Sequence, residues 1–340
     1  MQLIDTAPLL HFPMPFHLRW RRRVLHFRRP AATSRGALKQ RVTCTIEAST
    51  GRGCGYGECC VMPGLLPEPA AEELDYWCAQ AEQNQGLHSL PAPSPVRFGL
   101  ECALLAALRP GQPRWDTHFS RGEAGIPIHH LIWMDNCDAM LEAMQRGVEQ
   151  GFTCLKMKVG ALPFHQELEL IRQAHQAFPK VELRVDANGA FAPEDASARL
   201  DALAHAGVSL IEQPIRPGQW REMAALCRSG ILPVALDEEL IGCDSRTVLD
   251  TVAPQAIVIK PSLHGGLLAA QNWATEAGAR GIRWWVNSAL ESHIGLTALA
   301  EWCAYAAPGT MQALGTGRLF ADDEAGCVHL DGNHLKMRRN

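Results

Sequence analysis

CLKMKVG, residues 154–160, is a short apolar run set between Gly151 and Gly160. Its length and composition read as a buried strand. Yet it carries Lys156 and Lys158, and residues i and i+2 of a strand share a face. Two ammonium groups side by side repel, and burying either is costly without a partner. Two lysines on one inward face of a buried strand therefore need a chemical reason.

Segments of the same kind recur. They are HLIWM (130–134), CLKMKV (154–159), VELRVDAN (181–188), VSLIEQP (208–214), PVALDEE (233–239), AIVIKP (256–261), IRWWVN (282–287) and TMQALGTG (310–317). One late residue from each (Trp133, Lys158, Asp186, Glu212, Asp237, Lys260, Val286, Ala313) recurs every 23 to 28 positions. That interval accommodates a strand, a crossover helix and two short loops. Residues 135–150 place Met140, Met144 and Val148 at helical spacing, and residues 163–178 do so with Phe164, Leu168, Ile171 and Ala174. Strands alternating with helices imply a parallel sheet. Eight units of even size favour closure into a (β/α)8 barrel over an open doubly wound sheet.

Residues 1–126 lack this rhythm. PFHLRWRRRVLHF (15–27) and QRVTCTIEAST (40–50) read as strands, and GRGCGYGE (51–58) as a turn. Residues 70–85 and 97–109 read as helices, with Pro91, Pro93 and Pro95 marking a break before the second. The expected organisation is an α+β domain over 1–126, a barrel over 127–317, and a tail, 318–340, that returns to the first module. Glycines at 51, 53, 55 and 57 do not fit the Gly-x-Gly-x-x-Gly spacing of a dinucleotide site, and no helix follows them.

Composition narrows the function classes. A net charge of −4 creates no field for nucleic acid, and the arginine run at 19–29 has no aromatic interleaving beyond Trp20 and Phe27. No apolar run reaches 18 residues, so no membrane span is expected. The N-terminus has no charged leader segment, so a cytoplasmic protein is expected. None of the twelve cysteines is spaced Cys-x-x-Cys, and they read as small buried thiols. His129 and His130 are adjacent and would face opposite ways on a strand, which argues against zinc.

Barrel strands end at one mouth, where active sites form. This chain places there Lys156 and Lys158, then Asp186 and Asn188, Glu212 and Gln213, Asp237 and Glu238, and Lys260. Three carboxylates on consecutive strands repel unless a cation lies among them. Oxygen ligands select a hard divalent ion, Mg2+ or alternatively Mn2+. The charge of Lys156, the ion and partial desolvation would all lower the Lys158 pKa and make it a base. Lys260 lies across the mouth. A small carboxylate held between the lysines could lose its α-proton, because the ion and a fixed cation stabilise the resulting enediolate.

The Lys-x-Lys, Asp-x-Asn, Glu-Gln-Pro, Asp-Glu and Lys-Pro pieces, in this order and spacing, resemble the muconate-lactonizing subgroup of the enolase superfamily over nearly the whole chain. FRRPAATSRGAL (27–38), GYGECCVMPGL (55–65) and NSALESHIGL (287–296) narrow the resemblance to its o-succinylbenzoate synthase branch. Ala32 stands where that branch usually has Gly, and His293 where it often has Asn. The resemblance implies a modified barrel beneath an α+β capping domain. It also implies a Mg2+-dependent lyase that carries out a syn dehydration in menaquinone biosynthesis. By position, Asp186, Glu212 and Asp237 would bind the metal. Lys158 would be base and then acid, and Lys260 would remain cationic. Lys156 and Asn188 would support the metal and the substrate carboxylate, and Ser288 would bond the succinyl carboxylate. Ser34 and Arg35 would be substrate contacts on a loop. The stretches at 27–38 and 55–65 would be mobile loops that close over substrate. The alternative in the same superfamily is an N-acylamino acid racemase or a dipeptide epimerase, with both lysines as bases. Dipeptide epimerases carry Asp-x-Asp at the end of strand 8 for a substrate ammonium, and this chain reads Leu314-Gly315-Thr316-Gly317 there.

Overall fold

The computed structural model describes residues 1–33, 36–60, 62, 64–316, 319–324 and 326–338. A single helical turn, α1 (Ala7–Leu10), leads into β1 (Phe16–Thr33), β2 (Gly36–Thr50) and β3 (Gly53–Cys60). These strands form an antiparallel sheet in the order β1-β2-β3, followed by helices α2 (Ala71–Gln83) and α3 (Ser94–Leu108). The glycines of 51–58 serve packing. The turn itself is Gly51–Arg52, whereas Gly55 and Gly57 lie within β3, pressed against α3. A Cβ on Gly57 would sit 1.9 Å from the Gly99 carbonyl oxygen, and one on Gly55 2.2 Å from the Ala107 nitrogen.

This corrects the loop assignment of 55–65 for its first half. Gly55–Cys60 is strand, and Glu58, Cys59 and Cys60 are buried in it. The described parts of 27–38 likewise belong to β1 and β2, paired as far out as Thr33 and Gly36.

After β4 (Ile126–Pro127) the repeat begins. It runs β5 (His130–Ile132), α4 (Cys137–Glu149), β6 (Cys154–Lys158), α5 (Phe164–Ala177), β7 (Glu182–Asp186), α6 (Pro193–His205), β8 (Val208–Glu212) and α7 (Trp220–Ser229). It continues β9 (Val234–Leu236), α8 (Ser245–Val252), β10 (Ala256–Ile259), α9 (Gly266–Ala279), β11 (Arg283–Val286) and α10 (His293–Ala306). The seven strands are parallel neighbours in chain order. Their continuous apolar runs follow from burial on both faces; all four residues of β10 are buried. The helices turn their apolar stripes inward, Met140 and Met144 from α4 and Leu168, Ile171 and Ala174 from α5.

The eighth unit departs from expectation. Residues 310–317 contain no regular strand in their described part; Gln312 and Ala313 bridge the two sheet edges instead. His129 N donates to Gln312 O (3.1 Å) and Gln312 N to Pro127 O (2.8 Å) on one side. On the other, Ala313 N donates to Val286 O (2.8 Å) and Ser288 N to Ala313 O (3.2 Å). The curled sheet thus closes through a two-residue staple. The buried Gln312 side chain supports it by accepting from Val286 N (2.7 Å).

The tail divides its contacts. Residues 319–321 pair with 26–28 of β1, whereas β12 (Val328–Asp331) and β13 (His334–Met337) form a separate small sheet with β4. An apolar cluster of Leu25, Phe27, Leu290 and Phe320, with Trp133 packed against it, joins β1, the β5 and β11 ends and the tail. The N-terminal sheet is therefore seated on the strand ends. All twelve cysteines are free thiols, eight of them buried. No helix among the described residues is long and apolar enough to cross a membrane.

Candidate active site

Five hydrogen-bonded neighbours, β6 to β10, bring Lys158, Asp186, Glu212, Asp237 and Lys260 to one end of the sheet. Lys158 and Asp186 are register partners, as are Asp186 and Glu212. The acids therefore occupy the middle of the row and the lysines its two flanks.

Both lysines of β6 meet carboxylates at this end of the sheet. Lys156 Nζ lies 2.5 Å from Glu212 Oε1 and 3.0 Å from Asp186 Oδ2. Lys158 Nζ donates to Asn188 Oδ1 (2.6 Å) and to Asp186 Oδ2 (3.3 Å). One carboxylate thus serves both ammonium groups. On the far flank Lys260 is ion-paired with Asp237. Burial disfavours the charges on Lys156 and Lys260, but the carboxylates around each more than offset this and hold both pKa values above the ordinary lysine range. Burial also opposes ionisation of Asp186, yet Lys156, Lys158 and Lys260 keep its carboxyl far below the usual range. Glu212 goes the other way: burial and the Asp186 charge push it well up.

Non-glycine residues adopt left-handed backbone just after β7 and β8, at Asn188 (φ +44°) and Gln213 (φ +39°), and in the segment between β11 and α10, at Leu290 (φ +65°). Such strain persists where surrounding bonds fix it. Asn188 donates to Glu238 Oε1 (3.0 Å), and its backbone N–H donates to Asp186 Oδ1 (3.0 Å). Gln213 Oε1 accepts from the backbone N–H groups of Asp237 (3.1 Å) and Glu239 (3.3 Å), which ties the β8 end to the β9 end.

Among the described residues no three acidic, histidine or cysteine side chains stand as a ready-made cage, because the carboxylates lean on ammonium groups. The donor chemistry nevertheless fits a hard divalent ion. Glu212 Oε2 and Asp237 Oδ1 are buried and have no hydrogen-bond partner. Buried carboxylate oxygens left bare are costly, and a cation between them would relieve both.

Ser288 sits at the β11 end in a network that sequence reasoning missed. Its hydroxyl donates to Glu291 Oε2 (2.6 Å) and accepts from Leu290 N (3.0 Å) and Thr316 Oγ1 (2.8 Å). Ser262, two residues after Lys260, donates to the other Glu291 oxygen (2.7 Å). A hydroxyl has one proton to give, and Glu291 holds it. Glu291 was present in NSALESHIGL, but no local spacing marked it, since its partners come from two strand ends. Ser34 and Arg35 lie outside the described residues.

Residues 139–329 match the family model for enolase C-terminal domain-like proteins. An o-succinylbenzoate synthase from Desulfotalea psychrophila is 38% identical, across 94% of this chain and 98% of that protein. The crystal structure of MenC from Desulfotalea psychrophila superposes with a TM-score of 0.83 at 34% identity, covering 95% of this chain and all of that one. A dipeptide epimerase from Enterococcus faecalis, complexed with Mg and the dipeptide L-Leu-L-Tyr, has the same fold: TM-score 0.82 at 19% identity, covering 96% of this chain and 98% of its own.

Proposed function

The chain belongs to the enolase superfamily, and on that premise we propose that it dehydrates 2-succinyl-6-hydroxy-2,4-cyclohexadiene-1-carboxylate to 2-succinylbenzoate, the o-succinylbenzoate synthase reaction of menaquinone biosynthesis. It is a carbon–oxygen lyase. The observation that carries the reading is the row of strand ends: two lysines flanking three acids, of which Glu212 and Asp237 each keep a buried oxygen bare.

A Mg2+ ion held by Asp186, Glu212 and Asp237, with Mn2+ as a substitute, would supply the positive charge that the substrate's developing enediolate oxygens need. Lys158 takes the α-proton from C1. The C–O bond to the leaving hydroxyl then breaks, and Lys158 returns the same proton to that oxygen on the same face. Water departs and the ring becomes aromatic, so the atoms balance with no outside acid. Lys260, held charged by Asp237, faces the enolate from the other flank and transfers no proton. Lys156 stays bound to Asp186 and Glu212 and keeps those acids in place, and Asn188 steadies Lys158 and Glu238. Ser288 would reach the succinyl carboxylate by turning its proton away from Glu291. Ser34 and Arg35 would add further substrate contacts. Residues 1–126 with the tail 318–340 act as the cap over the barrel of 127–317.

The test is direct. With Mg2+, the cyclohexadiene carboxylate should be converted efficiently, followed by the rise of aromatic absorbance. N-succinyl amino acids in D2O should exchange their α-proton slowly or not at all. Fast exchange of both enantiomers with negligible dehydration would replace the lyase by a racemase on the same fold.

A further inference from the structure

Lys158 stands at the end of β6, where the strand passes into the loop before α5. Asp186 and Asn188 meet its ammonium there. Lys158 also lines a cavity of about 210 Å³, whose wall includes Met134, Asp135, Met140, Leu162 and Glu167. A lysine on a flexible four-carbon stem is placed by the backbone at its root as well as by the groups that meet its ammonium. That backbone runs directly into the loop 159–163 and then into α5.

Glu167, on the first turn of α5, closes this loop. Its Oε1 accepts three successive backbone N–H groups, from Gly160 (2.8 Å), Ala161 (3.1 Å) and Leu162 (3.0 Å). The residue is 2% exposed. Gly160 makes the bend with φ +96°, and a Cβ there would come within 2.5 Å of the Ala190 side chain. Strand end, loop and helix start are thus fastened at one carboxylate, two residues beyond Lys158. The other oxygen, Oε2, is buried without a hydrogen-bond partner, and Glu167 lines the cavity that Lys158 also lines. A space of that volume holds several waters at roughly 30 Å³ each.

We propose that Glu167 is a positioning residue for Lys158: by gathering the amides of residues 160–162 it fixes the loop that sets where the Lys158 ammonium stands against the substrate. The inference rests on the reading of Lys158 as the proton-transferring group. It gives a carboxylate outside the metal and substrate contacts a part in the rate of proton transfer.

The experiment compares the full-length protein with Glu167→Ala, Glu167→Gln, Gly160→Ala and Lys158→Ala, all with Mg2+. Glu167→Ala should lower kcat by about 10- to 100-fold with KM within about twofold, the pattern of a misplaced reacting group. The α-deuterium isotope effect on kcat should rise, as proton abstraction becomes rate-limiting. Glu167→Gln retains an oxygen for the three amides and should restore kcat to within about threefold of the parent. Mg2+ affinity by titration calorimetry should be unchanged in both. Should Glu167→Ala fail to fold, Gly160→Ala disturbs the same loop and should show the same fall in kcat at constant KM. The inference is overturned by an unchanged kcat in Glu167→Ala or in the folded Gly160→Ala, by a Gln variant as slow as Ala, or by KM and Mg2+ affinity weakening together with kcat. Inactive Lys158→Ala beside unimpaired Glu167→Ala overturns this inference alone, whereas fully active Lys158→Ala overturns the catalytic reading beneath it.

Discussion

Two sets of buried glutamates and aspartates behave in opposite ways in this molecule. At the seam between the N-terminal sheet and the barrel, Glu58 accepts from Ser292 N and Gly295 N at the start of α10, and from the Ser292 and Thr43 hydroxyls. Glu101 accepts from Leu267 N and Leu268 N at the start of α9 and pairs with Arg97. Each offers a negative group to the unpaired amides of a helix N-terminus, where the dipole favours it. At the mouth, Glu212 and Asp237 each keep one oxygen with no partner, and their other oxygens meet lysines, not amides. Satisfied acids hold two parts of the chain together. At the mouth Glu212 and Asp237 meet only ammonium groups and each leave an oxygen bare, which costs the fold free energy.

The comparison predicts which substitutions damage activity and which damage stability. The largest effect should follow chelation: activity should vanish with EDTA and return with Mg2+ or Mn2+. Glu212→Gln should lower kcat/KM by about a thousandfold or more. The denaturation midpoint of its metal-free form should be unchanged or higher, since Lys156 keeps Asp186 as its partner. Lys260→Ala should cost about a hundredfold in kcat, the size of one lost electrostatic contact in a water-poor site. At the seam the pattern inverts. Glu58→Ala strands buried amides and should lower unfolding free energy by about 2–4 kcal/mol in urea titration. A seam mutant that keeps its stability, or a mouth mutant that unfolds, would break the distinction.

The smallest effect concerns the tail. Asp323 accepts from His293 N (2.7 Å), lies 2.7 Å from the His293 ring Nδ1, and sits 3.6 Å from Arg23. Burial opposes its ionisation, but these partners hold its carboxyl below the ordinary range. A depressed carboxyl contributes stability above its unfolded pKa and loses it as pH falls through the folded one. Asp323→Asn should therefore cost about 1 kcal/mol near neutral pH, with the difference fading below about pH 4. A difference that grows in acid would contradict this.

The strands and the acid row were legible because periodicity and the polar residue at each strand end are local signals. The eighth unit misled because TMQALGTG has strand-like composition, whereas its role is set by two edges that only meet once the sheet curls. The glycines at 55 and 57 looked like turn residues, since nothing local reveals that α3 presses on them. Glu58 reads in the sequence as the end of a turn, yet its partner Ser292 lies 234 positions away. Glu167 had a readable signal, an acid in the first turn of a helix just after a glycine bend, but its three amide partners are backbone and leave no trace in side-chain type.

The central claim is a division of labour between the two lysines, and single-turnover dehydration tests it most directly. Lys158→Ala and Lys260→Ala, each saturated with Mg2+, would be mixed with the cyclohexadiene carboxylate and 2-succinylbenzoate followed by its absorbance. The account predicts no product above the uncatalysed rate from Lys158→Ala, and slow but measurable product from Lys260→Ala. Product from Lys158→Ala at the parent rate, or an inert Lys260→Ala beside an active Lys158→Ala, would contradict it.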